Sequence, residues 1–235
     1  MKKSYFCIGF LILIILARIL TTEQSIKAMK GILNTDNEMK TVTIAIDPGH
    51  GGWDPGKVGI NNVLEKEINL SISLKVKSLL EQQDIHVVMT REEDVGLYSE
   101  NSPNKKRSDL NNRVSIINDS GAAFAISLHQ NSFTEEYVKG AQVFYHGQSE
   151  EGRKLAELLQ DIIKEKINDG NHRMAKSNES YYMLKETRCT LVIIECGYLS
   201  NHKEAALLIT EEYQDKMAEA ISLGIQEFLK RDGGQ

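Results

Sequence analysis

Short apolar runs alternate with amphipathic segments along the chain from residue 42 onward, and this alternation restricts the fold more than any other feature. Strands are predicted at 42–46, 85–90, 122–128, 140–145 and 191–194, and helices near 65–82, 110–118, 150–166 and 211–230. Strands that alternate with helices build a mainly parallel sheet covered on both faces. We therefore predict a single α/β domain, a three-layer α/β/α sandwich around a mainly parallel twisted sheet. The polar stretches 94–107 and 168–180 are predicted loops.

Length and charge limit the class of protein. With 235 residues, 41% of them hydrophobic, the chain can bury one sizeable core. The net charge is −5, and the sequence has no basic stripe with interleaved aromatic residues, which argues against nucleic acid as a partner. Cys189 and Cys196 flank one predicted strand and would lie too far apart for a disulfide. We expect both to be free thiols.

The first residues form a different kind of segment. Lys2 and Lys3 precede a mostly apolar run from Ile8 to Ala17, which Arg18 ends. A basic start followed by a run shorter than the ~20 residues that span a bilayer predicts a signal peptide or an N-terminal membrane anchor at 1–20. Cleavage and retention both stay open. Residues 21–40 are a predicted polar linker, 41–235 form the predicted domain, and we expect that domain outside the cytoplasmic membrane.

Residues of metal-binding or catalytic type lie at the edges of the predicted elements. His50 follows the first strand in Asp47-Pro48-Gly49-His50-Gly51-Gly52, His129 and Glu195 end two other strands, and Glu65 opens a helix. The carboxyl ends of parallel strands share one edge of a sheet. Two imidazoles and a carboxylate, with one position left open, are the usual ligands of a hydrolytic zinc site, and a second carboxylate can serve as the base. The sequence predicts such a site.

Competing motifs explain less. The segment from Gly51 to Lys57 has the spacing of a phosphate-binding loop, but Val58 stands where that loop needs Ser or Thr. The remaining histidines are interpreted as structural or solvated. Arg91 and Asp94 are interpreted as an ion pair within a turn.

Four sequence blocks carry a resemblance to a known family. They are IDPGHGGWDPGKVG at 46–59, LEKEINLSISLKVKSLLE at 64–81, ISLHQNSF at 126–133 and YYMLKETRCTLVIIECGYLSNHKEAALL at 181–208. In order and character they resemble the zinc-dependent N-acetylmuramoyl-L-alanine amidases, which cut the amide between muramic acid and the stem peptide of peptidoglycan. The resemblance implies Zn²⁺ as cofactor, His50, Glu65 and His129 as its ligands, and Glu195 as the catalytic carboxylate.

Two details of this assignment need a choice. The family pattern places the ligand carboxylate directly before a Lys, which favours Glu65 over Glu67, and Glu67 would point about 200° away on the helix. Asp47 either orients His50 through a hydrogen bond or serves only the turn.

Within the family, the chain looks most like the germination-specific amidases of spore-forming bacteria, which help to make muramic-δ-lactam in the spore cortex. This implies peptidoglycan as substrate, a location that includes the forespore intermembrane space, and an activating or anchoring protein partner. Alternatives stay open: a vegetative or sporulation autolysin, a zinc peptidase or polysaccharide deacetylase, or a non-catalytic, membrane-tethered peptidoglycan-binding protein.

Overall fold

The computed structural model describes residues 42–167 and 170–232. The predicted leader at 1–20 and linker at 21–40 lie outside the described residues. The strands are β1 (Thr43–Pro48), β2 (His86–Met89), β3 (Phe124–Asn131), β4 (Gln142–Tyr145), β5 (Lys176–Ser177) and β6 (Thr190–Tyr198). The helices are α1 (Glu65–Glu81), α2 (Lys105–Asp119), α3 (Glu150–Ile167), α4 (Tyr182–Glu186), α5 (His202–Leu208) and α6 (Glu211–Asp232).

All of the described strands belong to one sheet, in the order β2-β1-β3-β6-β4-β5. Strands β2, β1, β3 and β6 run parallel to one another, and β4 runs antiparallel to β6. The carboxyl ends of β1, β3 and β6 therefore lie at one edge of the sheet. This arrangement confirms the predicted single α/β domain with a mainly parallel sheet.

Alternation along the strands divides the core between the two faces of the sheet. Ile44 and Ile46 of β1 pack into the larger core, which α1, α3 and α6 cover, whereas Ala45 faces a smaller core under α2 and α4. Both faces are apolar because helices cover both, as expected for parallel strands. The predicted three-layer architecture follows from this division.

Several predicted boundaries differ from the structure. Helix α2 begins five residues before the predicted Leu110, because the side chain of Asn104 accepts a hydrogen bond from the backbone N–H of Arg107 and caps the first turn. Strands β3 and β6 do not end at His129 and Glu195 but continue past a bulge to Asn131 and Tyr198. Pattern analysis also missed the short elements β5, α4 and α5, which have too few residues to show periodicity.

Cys189 and Cys196 are free thiols, as predicted, and Cys196 is fully buried. Among the helices of the described part of the chain, none combines the length and the apolar character needed to cross a membrane.

Candidate metal centre

His50, Glu65 and His129 converge at the edge where β1 and β3 end. Their ligand-type atoms all lie within 4.8 Å of one another. The Glu65 carboxylate lies between the two imidazoles, with 3.2 Å from Oε2 to Nε2 of His50 and 2.9 Å from Oε1 to Nδ1 of His129. The two rings meet nearly edge to face, with centroids 5.0 Å apart. Three residues that are far apart in the sequence thus present two nitrogen ligands and one carboxylate to one point.

Strand pairing places the other catalytic-type residue beside this cluster. His129 on β3 pairs in register with Glu195 on β6. Pro48 at the end of β1 pairs with Leu128, and the backbone N–H of Gly49 donates to the carbonyl of Leu128 at 3.0 Å. The edge of the sheet therefore holds His50, His129 and Glu195 next to one another, as the sequence predicted.

Glu65 is the first residue of α1 and is 3% exposed. Its carboxylate accepts hydrogen bonds from the backbone N–H groups of Lys57 at 2.8 Å and Gln130 at 3.0 Å. Burial alone would raise the pKa of Glu65, but hydrogen bonds to His129 and His50 hold it well below its usual range. Glu65 is therefore an anionic, pre-oriented ligand-type group, whereas Glu67 is exposed to solvent.

Asp54 fixes the orientation of the His50 ring. Its Oδ2 lies 2.8 Å from Nδ1 of His50, so that Nε2 points at Glu65. The backbone N–H of Gly56 in turn donates to Asp54 at 3.0 Å. Burial would lower the pKa of His50, but the hydrogen bonds to Asp54 and Glu65 outweigh it and raise that pKa to about 9. A carboxylate behind an imidazole is the arrangement that orients histidine ligands of metals.

Asp47 does not orient the His50 ring but anchors the loop that carries it. The possibility that it orients His50 is wrong, because both ring nitrogens of His50 contact other carboxylates. Asp47 is 1% exposed and forms an ion pair with Arg113 at 2.7 Å, and it accepts hydrogen bonds from Thr90 and Ser127 at 2.7 Å each. Burial would raise the pKa of Asp47, but the Arg113 charge and the hydroxyl groups lower it to about 2. Asp47 anchors the base of the loop.

Two buried guanidinium groups hold the loop that carries His50. His50 itself has a φ of 61°, in the left-handed region that non-glycine residues rarely adopt. Arg113 donates to the carbonyls of Pro48 at 2.7 Å and His50 at 2.6 Å, and Arg91 donates to those of Pro48 and Gly49 at 3.0 Å each. Three successive carbonyl groups are thereby fixed, which keeps His50 in this backbone conformation.

The predicted ion pair between Arg91 and Asp94 is wrong, because the Arg91 guanidinium donates to backbone carbonyls instead. The Arg91 side chain is 3% exposed and its donors contact backbone carbonyls, including that of Lys66. Asp94 instead pairs with the ammonium group of Lys66 at 2.7 Å and accepts from the N–H of Gly52. Both residues still support the edge of the site, but through separate contacts.

Two glycines are required because the candidate ligands pack directly against the backbone. A Cβ on Gly49 would lie 2.2 Å from the His129 ring. Gly56 has a φ of 68°, and a Cβ there would lie 2.6 Å from both the Glu65 carboxylate and the His50 ring. Neither position has room for a side chain.

Glu195 is a buried carboxyl group beside the cluster, with 8% exposure. Tyr181 lies close enough to influence its pKa, while Oε2 has no hydrogen-bond partner among the described residues. Burial raises the pKa of Glu195, the neighbouring His129 lowers it and Glu65 raises it, with a result of about 7. Such a group can accept and release a proton near neutral pH. It borders an open cleft of about 380 Å³ that the three clustered residues also line.

Sequence patterns did not indicate the supporting residues Asp54, Tyr181 and Arg113. Asp54 lies in a turn whose Asp-Pro-Gly sequence already explains it, and Tyr181 directly precedes α4, a helix of only five residues. Arg113 is a basic residue within a polar helix that would otherwise be assigned to the solvent face. Only the fold reveals their contacts.

Comparisons with known proteins agree with the geometry. The family model described as N-acetylmuramoyl-L-alanine amidase matches residues 44–227. The chain is 38% identical over 193 residues to the germination-specific N-acetylmuramoyl-L-alanine amidase of Bacillus subtilis (strain 168), a match that covers 81% of each chain.

Solved structures give the same result. The CwlD amidase from Clostridioides difficile, solved in complex with the GerS lipoprotein, has a TM-score of 0.77 and 40% identity, over 80% of this chain and 98% of that one. The amidase AmiC2 of Nostoc punctiforme has a TM-score of 0.72 and 31% identity, over 81% and 98%. The chain therefore belongs to the N-acetylmuramoyl-L-alanine amidase family and is a peptidoglycan amidase with a relative of the germination-specific, CwlD type.

Proposed function

We propose that this amidase is zinc-dependent, that His50, Glu65 and His129 hold the ion, and that Glu195 is the catalytic general base. The observation that carries the proposal is the cluster of three ligand-type groups within 4.8 Å, next to a buried carboxyl group with an unpartnered oxygen. Two nitrogens and one carboxylate oxygen at an open cleft fit the three protein ligands of a catalytic zinc site. The family resemblance supports the same metal.

The chemistry follows from where these groups lie. Zinc bound at the cluster would polarise the scissile carbonyl and lower the pKa of a water molecule. Glu195 accepts a proton from the attacking water and passes it to the departing amine of L-alanine. Its pKa of about 7 suits both transfers near neutral pH. Asp54 keeps Nε2 of His50 directed at the cluster.

For the biological role, we propose cleavage of spore-cortex peptidoglycan on the way to muramic-δ-lactam. The identity to a germination-specific amidase and the likeness to CwlD support this role over that of a vegetative autolysin. Deleting the gene should remove muramic-δ-lactam from the spore cortex. Normal lactam content with a defect in dividing cells would favour the autolysin instead.

For the location, we propose that residues 1–20 are a signal peptide or membrane anchor, 21–40 a linker and 41–235 the catalytic domain. The enzyme would then act outside the cytoplasmic membrane, as its substrate requires. Because the similar C. difficile amidase was solved with a lipoprotein, we also propose an activating or anchoring protein partner. A reporter active only in the cytoplasm, fused after Gln235, should give no signal, and a strong signal would contradict this location.

Digestion of purified peptidoglycan tests the chemistry. The enzyme should release intact stem peptides, lose that activity with a chelator and regain it with zinc. Glu195→Gln should keep the metal and the melting temperature while turnover falls by about 10²- to 10⁴-fold, because the amide cannot accept a proton. Glu67→Gln is the matched control and should keep normal turnover.

The products also separate the alternatives. Shortened peptides would indicate a peptidase, acetate a deacetylase, and the absence of products a binding protein. Near-normal turnover in folded, zinc-loaded Glu195→Gln would contradict the proposed mechanism.

A further inference from the structure

Two lysines, Lys57 and Lys106, line the same cleft as the candidate ligands. Lys57 and Lys106 are both exposed, and neither ammonium group has a hydrogen-bond or ion-pair partner among residues 42–167 and 170–232. Other lysines of the domain, such as Lys66, Lys75 and Lys77, form ion pairs with carboxylates. Their position distinguishes Lys57 and Lys106 from the other exposed lysines of the domain, since both line the cleft of the candidate ligands.

The backbone fixes Lys57 directly against the candidate metal ligand. Its N–H donates to Oε2 of Glu65 at 2.8 Å, and its carbonyl accepts from the N–H of Glu65 at 3.0 Å. The Lys57 side chain therefore starts from a position that is rigid relative to the cluster. A flexible ammonium group on a rigid base can reach a bound molecule without changing the cluster itself.

Lys106 stands where the helix itself gains nothing from a positive charge. It lies in the first turn of α2, which contains no acidic residue, and cations are unfavourable near a helix N-terminus. The positive charges on either side of it have partners, since Lys105 pairs with Glu100 at 2.6 Å and Arg107 stacks on the Tyr182 ring at 4.0 Å. Lys106 instead extends to the cleft, within electrostatic range of Asp54.

The chemistry of the two halves of the substrate decides what such cations bind. The N-acetylated glycan presents neutral hydroxyl and acetamido groups, whereas the stem peptide beyond L-alanine carries carboxylates. We propose that Lys57 and Lys106 form a carboxylate subsite that binds the acidic stem peptide on the L-alanine side of the scissile amide. This subsite rests on the proposed function, because it takes the clustered residues as the reaction centre.

The test uses two soluble muropeptides that differ only at the residue after L-alanine, with its carboxylate free in one and amidated in the other. Wild type should prefer the free acid. Lys57→Gln with Lys106→Gln should raise KM for the free acid by about tenfold, since each exposed ion pair contributes up to about fivefold, while kcat changes little. The preference between the two substrates should disappear.

Matched variants separate charge from structure. Lys57→Arg with Lys106→Arg should keep the preference. Lys230→Gln should also keep it, because Lys230 lies two residues after Phe228, which packs on Phe124 at the start of β3, the end of that strand opposite His129. High salt should weaken the wild-type preference, as for any exposed charge pair.

Two results would overturn the subsite alone. One is an active double variant that keeps the preference for the free acid, and the other is a double variant whose cleavage of both substrates falls equally. The second result would show that the lysines support the fold or the glycan. A wild-type enzyme that is folded and metal-loaded but cleaves neither substrate would instead overturn the proposed function and the subsite together.

Discussion

The two halves of the candidate metal centre are built in different ways. His129 and Glu195 lie on adjacent strands and are placed by their register. His50 lies on a loop with a left-handed backbone, which Arg91 and Arg113 hold through its carbonyl groups. Strand pairing alone is sufficient for the first half, whereas the second depends on charged groups buried beneath it.

This difference has an energetic consequence. Strand residues in a parallel sheet gain their position from backbone hydrogen bonds and apolar packing that the fold needs anyway. The loop half needs the buried pair of Asp47 and Arg113, which is 1–2% exposed, and removing one partner of such a pair leaves an uncompensated charge. Substitutions below the loop should therefore be more damaging than substitutions at the strand half or at the surface.

The largest effect is expected for Arg113→Ala. The substitution leaves the Asp47 carboxylate buried without its charge partner and removes the Arg113 donors to the carbonyls of Pro48 and His50, of which Pro48 still accepts from Arg91. The free energy of unfolding should fall by about 3–5 kcal/mol, measured by urea denaturation. Arg188→Ala is the control, because Arg188 is 76% exposed and its carboxylate partner lies 3.8 Å away. If Arg113→Ala were as stable as that control, the loop would not depend on the buried pair.

A smaller effect is expected for Asp54→Asn. The substitution removes the charge behind His50 but keeps an oxygen that can accept from Nδ1, so the fold should be retained. Zinc affinity, measured by competition with a chromogenic chelator, should fall about 10- to 100-fold. Asp119→Asn, at a carboxylate that is 75% exposed, should leave the affinity unchanged. Equal affinities in both variants would show that Asp54 does not tune His50.

Zinc affinity should depend steeply on pH. Because the pKa of His50 is raised to about 9 in the metal-free protein, zinc must displace its proton at neutral pH. Apparent zinc affinity should rise by at least about tenfold per pH unit between pH 7 and 9, and less steeply above. A flat profile in metal-buffered titrations would mean that His50 does not bind the ion.

The same pKa has a consequence for stability without metal. A pKa raised above the ordinary value of 6.5 means that protonation stabilises the folded form. That contribution is complete below pH 6.5 and is lost as the pH rises through 9. Metal-free protein should therefore melt at a lower temperature at pH 9 than at pH 6.5.

The sequence predicted the strand half of the site better than the loop half, and the reason is local. Apolar runs that end near His129 and Glu195 indicate both the strands and their common edge. Asp54, and not Asp47, orients the His50 ring, and periodicity cannot predict this because the contact depends on the geometry of the turn. Arg113 acts on a loop more than 60 residues away, and such a contact exists only in the folded chain.

Anomalous scattering from zinc-soaked crystals tests the central claim most directly. Data collected on both sides of the zinc absorption edge should show one strong peak, about 2.0–2.2 Å from Nε2 of His50, a Glu65 carboxylate oxygen and an imidazole nitrogen of His129. The peak should disappear in crystals of His129→Ala. An active, zinc-containing enzyme whose anomalous peak lies elsewhere would contradict the assignment of these three residues.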